Sequence, residues 1–315
     1  MQTKTIKKII ENKLNHWLKS IKDEELRKLV KRDLFLSGGS IASHLLNEQV
    51  NDYDIYIKSL DTLKKLAAYY VGEDIVMDGR LKRQYIESKF PEALPYIDKG
   101  ETPIFKNSGE EYIAEEFIRI DTMEEKQIKL NVSSAGKRLA IDEDTLSENP
   151  YQPAFLSQNA ISLSNDIQIV LRFSGTSEEI HKTFDFVHAK NYYTFAEGLK
   201  LNKDSLESLL TKSLRYQGSL YPLTSIIRMK KFINRGWTMN AGEILKIMYQ
   251  ISQLDLNDIR VLEQQLIGVD VAYFSTLIEL LRGEKDNEWG YSTISKCIDK
   301  IFNDIEYGSN ETEQN

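Results

Sequence analysis

One stretch restricts the fold of this chain more than any other: LSGGSIASHLLNEQVNDYDIYI, residues 36–57. An apolar run enters two glycines and a serine, a segment of helical period follows, and DYDIYIKS then alternates as a half-buried strand does. Strand side chains alternate faces, so Asp52 and Asp54 project to one side and Tyr53 and Ile55 to the other. Two carboxylates about 7 Å apart along a strand repel and are costly to desolvate unless a cation lies between them. Gly38 and Gly39 leave backbone N–H groups uncovered at the mouth of the helix that begins near Ser40, where free donors and the helix dipole favour an anion. A phosphate on the glycine turn beside a divalent cation on the aspartates describes a nucleoside triphosphate bound as its magnesium complex. Taken singly, Gly-Gly-Ser is a turn and Asp-x-Asp a solvated strand edge. Their order, strand–GGS–helix–strand–DxD, carries the functional reading.

The rest of the chain gives that motif its setting. A length of 315 residues predicts two domains rather than one. Hydrophobic content of 41% and charged content of 28% are those of an ordinary soluble globular protein. No run approaches the roughly 18 apolar residues of a membrane span, and the basic amphipathic N-terminus lacks the apolar core of a secretory signal. These features predict a cytoplasmic protein. Cys297 is the single cysteine, which excludes an internal disulfide and a cysteine-based zinc site. A net charge of −7 argues against a surface coated for nucleic acid while allowing a local basic groove. Residues 5–32 have helical period, EEFIRIDT and KQIKLNVSS read as paired strands, NAISLSNDIQIVLRF as two strands across a Ser-Asn-Asp turn, and FDFVHAKNYY as another strand. From about residue 198 strand signals stop and helical segments succeed one another to a polar tail. This predicts a catalytic head over 1–197 with an unparsed insertion near 75–150, a helical neck and body over 198–302, and a disordered tail over 303–315.

Residues 36–57 resemble the head of the polymerase-β-like nucleotidyltransferases, and within them class II CCA-adding enzymes and bacterial poly(A) polymerases. Gly38, Gly39, Ile41, Leu45, Leu46, Asp52 and Asp54 stand in the matching places, while Ala42 and Ser43 replace that family's Arg-Asp pair. SEEIHKTFDFVHA is similar to a second family motif, with Glu178, Glu179 and then Asp185-Phe186, although Thr183 and Phe184 replace two arginines. IIRMKKFINRGWTM resembles the family's neck through Arg228, Lys231, Phe232, Arg235, Gly236 and Trp237. The family's base-reading Glu-Asp-x-x-Arg should lie just upstream, where this chain has LYPLTS; that departure predicts weak base discrimination. Some tailed-phage proteins resemble the chain as well, which implies a viral origin and a host-cytoplasmic setting.

The resemblance implies an α+β fold, a nucleotidyltransferase-type mixed sheet with flanking helices followed by an all-helical C-terminal domain. It implies template-independent transfer of NMP from an NTP to a hydroxyl, such as an RNA 3′ end of tRNA type, by two-metal phosphoryl transfer with two magnesium ions. Asp52 and Asp54 would hold the ions, Asp185 would complete the site and align the attacking hydroxyl, and Gly38, Gly39 and Ser40 would hold the β and γ phosphates. Between Thr211 and Trp237 the chain has six basic residues and no acid. Arg228, Lys231 and Arg235 share one helix face by their spacing, a cationic strip suited to a triphosphate or an RNA backbone. Two alternatives stand beside this reading: a nucleotidyltransferase that modifies a protein or small molecule, including a toxin-type enzyme, and a catalytically silent or virion-associated descendant of the fold. His44, His181 and His188 have no metal-ligand spacing, and Ser37 and Ser40 have no evident His–Asp partner for a hydrolase triad.

Overall fold

The computed structural model describes residues 2–71, 104–107, 110–113, 120–124, 127–130, 137–139 and 149–256, with a few positions after 256. Most of the insertion expected near 75–150, most of the helices read at DIRVLEQQLI and AYFSTLIELLRG, and the tail lie outside the described residues.

The N-terminal periodicity forms two helices, α1 (Thr3–Ser20) and α2 (Glu24–Asp33). In α1 the apolar positions Ile6, Ile10, Leu14, Trp17 and Leu18 recur at helical spacing and are all buried. Asp23 caps α2 by accepting from the Glu25 and Leu26 N–H groups, with Glu24 and Glu25 in the first turn and Lys31 and Arg32 in the last, as the helix dipole favours. Then come β1 (Leu34–Ser37), α3 (Gly39–Leu46), β2 (Tyr53–Ile57) and α4 (Leu60–Val71). Two hairpins pair β3 (Ile104–Asn107) with β4 (Glu110–Ile113) and β5 (Ile120–Glu124) with β6 (Gln127–Leu130). The second hairpin is the strand pair expected from EEFIRIDT and KQIKLNVSS. Strands β7 (Lys137–Arg138), β8 (Pro153–Leu156), β9 (Ala160–Leu163) and β10 (Ile167–Ser174) complete one side of the main sheet. The three-residue β9–β10 turn, Ser164 to Asp166, places Asn165 and Asp166 at φ 64° and 55°, left-handed geometry that Asn and Asp tolerate.

Helix α5 (Ser177–His181) opens with a reciprocal capping box between Thr176 and Glu179. A 3₁₀ turn (Val187–Ala189), β11 (Tyr192–Thr194), β12 (Gly198–Lys200), α6 (Lys203–Thr211), α7 (Pro222–Asn234) and α8 (Ala241–Ile251) follow. FDFVHAKNYY is therefore not one strand, because the 3₁₀ turn interrupts it, and β12 adds a short strand where strand signals were expected to have ended.

The eight-stranded sheet runs β12-β11-β1-β2-β10-β9-β8-β7. The β2–β10 pair is parallel and the other pairs are antiparallel, so the sheet is mixed. Its inner face carries Leu34, Leu36, Ile55, Ile57, Ile167, Ile169 and Leu171, packed into one core with Ile10, Leu14 and Trp17 of α1, Val30 of α2, Ile41 of α3 and Leu63 and Leu66 of α4. The opposite face carries a smaller cluster of Phe35, Tyr56 and Ile180. The architecture is α+β, a mixed sheet with flanking helices and further helices towards the C-terminus.

The chain divides into two compact units, Met1–Thr211 and Lys212–Asn315. Helix α6 belongs to the first, held by Ser205 Oγ, which donates to the His188 carbonyl at 2.6 Å and accepts from Asn191 Nδ2 at 2.8 Å. In the second unit, the Trp237 ring packs edge-on against Phe232 at 5.3 Å, and the Ser213–Thr238 bridge ties the two ends of the α7 segment together.

Candidate active site

The strand-to-helix corner after β1 is set by Gly38, at φ 90° and ψ −149°, a conformation open only to glycine. A Cβ at residue 38 would lie 2.9 Å from Asp54 Oδ2, so the turn rests directly on that carboxylate. The Gly38 N–H donates to the Ala189 carbonyl at 3.1 Å. This corrects the expectation that both glycines offer uncovered N–H groups: Gly38 supplies shape, and the leading N–H groups of α3 belong to Gly39 and Ser40. Gly38 gives these N–H groups no side-chain cap, and a Cβ at Gly39 would meet nothing within 4 Å, so the helix mouth is open there. Ser40 Oγ is buried with no hydrogen-bond partner among the described residues.

Asp54 is half-buried on β2, with Gln168 of β10 directly beside it in the parallel ladder. Gln168 Nε2 donates to Asp54 Oδ1 at 3.0 Å, and Ser162 Oγ of β9 donates to Gln168 Oε1 at 3.3 Å. Asp52 lies one residue before β2 and is exposed. Its carboxyl is pushed above the ordinary carboxylate range, first by desolvation and second by the like charge of Asp166. Lys13 of α1 lies 3.6 Å from Asp166 Oδ2 and 5.2 Å from the centre of the Tyr53 ring.

Among the described residues no group of three His, Cys, Asp or Glu side chains is placed to hold a metal ion, so Asp185 does not join Asp52 and Asp54 in such a group. Magnesium does not require one: it is commonly bound by one or two carboxylates together with substrate phosphates and water. Asp54, whose Oδ2 lies beside the glycine turn, offers hard oxygen donors of that kind, while the charged neighbour of Asp52 is Asp166. Asp185 itself is buried in the bend before the 3₁₀ turn, where its Oδ1 accepts from the Phe186 N–H at 3.0 Å.

Ser37 does have a histidine partner, 144 residues away: Ser37 Oγ lies 2.8 Å from His181 Nε2. Ser37 is fully buried, with the Asn191 and Ala189 carbonyls at 2.9 and 3.2 Å from its hydroxyl. The imidazole and two carbonyls converge on this buried hydroxyl and satisfy it. Burial first, and the Lys190 charge second, push His181 down to about 4. Phe35, Phe184 and Tyr192 surround the imidazole edge-on, at 5.1 to 6.4 Å between centroids.

In the second unit, Arg228 and Lys231 lie on α7 and Arg235 is its C-cap, with the Arg235 guanidinium 5.5 Å from the centre of the Phe232 ring. Lys231 is exposed and Arg228 half-buried. The LYPLTS segment builds the start of α7, with Pro222 in its first turn and Thr224 Oγ1 donating to the Gln265 carbonyl at 2.6 Å. Gln168 had no signal in the sequence, since it reaches Asp54 from a distant strand.

The site is a glycine corner of a mixed sheet that abuts a strand carboxylate. Residues 8–212 match the family described as Gabija anti-defense 2 family protein, and the chain belongs to that family. A protein of Bacillus phage SPbetaL7 named Gabija anti-defense 2 is 22% identical over 173 residues, which span 53% of this chain and 42% of that relative. Among solved structures, the chain is similar to the Bacillus stearothermophilus CCA-adding enzyme in complex with CTP, with a TM-score of 0.37 and 10% identity over 85% of this chain and 52% of that one. It is also similar to the Thermotoga maritima CCA-adding enzyme complexed with tRNA, with a TM-score of 0.34 and 13% identity over 92% of this chain and 60% of that one.

Proposed function

We propose that this is a phage protein that transfers a nucleotide from an NTP to a hydroxyl, and that it does so against Gabija defence. The observation that carries the reading is the contact of the Gly38 turn with Asp54, which sets an anion-binding helix mouth beside a carboxylate. The Gly39 and Ser40 N–H groups at the head of α3 bind triphosphate oxygens through their free donors and the helix dipole. Asp52 and Asp54 would hold magnesium. When bound, magnesium would neutralise phosphate charge as the acceptor hydroxyl attacks the α-phosphorus in line, the α–β P–O bond breaks and pyrophosphate leaves. The cationic strip of α7 binds the phosphates of an acceptor. The acceptor favoured by that strip is an RNA 3′ hydroxyl. The family's anti-defence description supports a second reading, a hydroxyl on a defence protein.

The experiment is incubation of the full chain with each α-³²P-labelled NTP and magnesium in a lysate that contains the Gabija components. Nuclease-sensitive label supports an RNA acceptor, protease-sensitive label supports a protein acceptor, and no label above the Asp54→Asn background rejects transfer.

A further inference from the structure

The Asp54 carboxylate is held by a side chain whose own orientation is held in turn. Gln168 pairs with Asp54 on one side and with Ser162 on the other, so the three side chains stand in one row on one face of the sheet. The Ser162 hydroxyl donates to Gln168 Oε1, which turns the amide so that its NH₂ end meets Asp54 Oδ1 at 3.0 Å. With Oδ1 engaged there, Oδ2 is the oxygen that lies against the Gly38 turn. The choice of an amide at 168 has a consequence. A carboxylate there would add a like charge to the site and a lysine would occupy the cation's place, whereas an amide orients Asp54 without charge.

We propose that Gln168, set by Ser162, is a positioning residue for the cation that Asp54 would hold, fixing the carboxylate through Oδ1. This rests on the reading of Asp52 and Asp54 as cation ligands. Neither Gln168 nor Ser162 touches the reacting atoms in this role, and both act through Asp54.

The test is Mn²⁺ binding to the full chain, followed by electron paramagnetic resonance without nucleotide, with melting temperature measured with and without Mg²⁺. Gln168→Leu should weaken Mn²⁺ binding by about tenfold, in the range of outer-shell partners of metal ligands, and Ser162→Ala by roughly threefold. Both should lower the melting temperature only slightly in the absence of metal. Gln168→Glu should melt below wild type without metal, through like-charge repulsion, and gain more than wild type when Mg²⁺ is added. If wild type binds Mn²⁺, Asp54→Asn abolishes it, and Gln168→Leu and Ser162→Ala bind as wild type does, the relay is overturned while the cation site stands. If wild type binds no Mn²⁺, the cation site and the relay both fall. Should Gln168→Leu fail to fold, Ser162→Ala, which leaves the amide in place, decides.

Discussion

Gly38 combines a backbone angle closed to other residues with a space already occupied by Asp54 Oδ2. Gly38→Ala should therefore destabilise the chain by about 1–3 kcal/mol, the usual range for forcing a side chain into such a conformation. Chemical denaturation measures it, and a loss under 0.5 kcal/mol on that same estimate would mean that the turn relaxes freely. His181 makes a second point about single residues. Its folded-state pKa, down at about 4, lies below the roughly 6.5 of an unfolded histidine, so between those values the unfolded chain binds a proton that the folded chain does not. Stability should accordingly fall as pH drops from about 6.5 towards 4. Half-buried as it is, His181 should contribute a slope and no sharp transition. His181→Gln, which can still hydrogen-bond to Ser37, should flatten that slope in denaturation series run at several pH values.

The elements around the corner differ in how far local sequence specifies them. β1, α3 and β2 were legible because each carries its own period and the glycines mark the break between them. The row of Ser162, Gln168 and Asp54 was not, because it depends on strand pairing between residues 114 positions apart, which no local pattern encodes. The stretch after α5 misled for a related reason. Its alternating aromatics suggest a strand, yet Phe186 is held in the interior and the backbone turns at Val187–Ala189, so tertiary packing overrides the local preference. In α7, Arg228 and Lys231 lie within the helix, while Arg235 is its C-cap and lies over the Phe232 ring. Replacing Arg228 and Lys231 with alanine should weaken RNA binding and reduce the slope of log affinity against log salt by about 1–2, with little change in melting temperature. Filter binding across a salt series checks it, and an unchanged slope would make the strip a solvated helix face.

Over the whole chain, the family match ends at residue 212, one residue past the end of the first compact unit at Thr211. The core of that unit is closed by α1, α2 and α4 over the sheet, and α6 is anchored through Ser205. A chain ending at 211 should therefore melt in one cooperative transition, as scanning calorimetry would show. The fold class was legible because helical and strand periods segregate along the sequence; what the chain acts on was not, since acceptor choice depends on surfaces assembled from distant segments. Transfer of the α-phosphorus at the Gly38–Asp54 corner is best decided by parallel incubations with α-³²P- and γ-³²P-labelled NTP. Nucleotidyl transfer predicts that acceptor retains the α label and not the γ label, and that Asp54→Asn lowers the α signal by at least about 10³ while remaining folded. Retention of the γ label, or α labelling unchanged in Asp54→Asn, would contradict it.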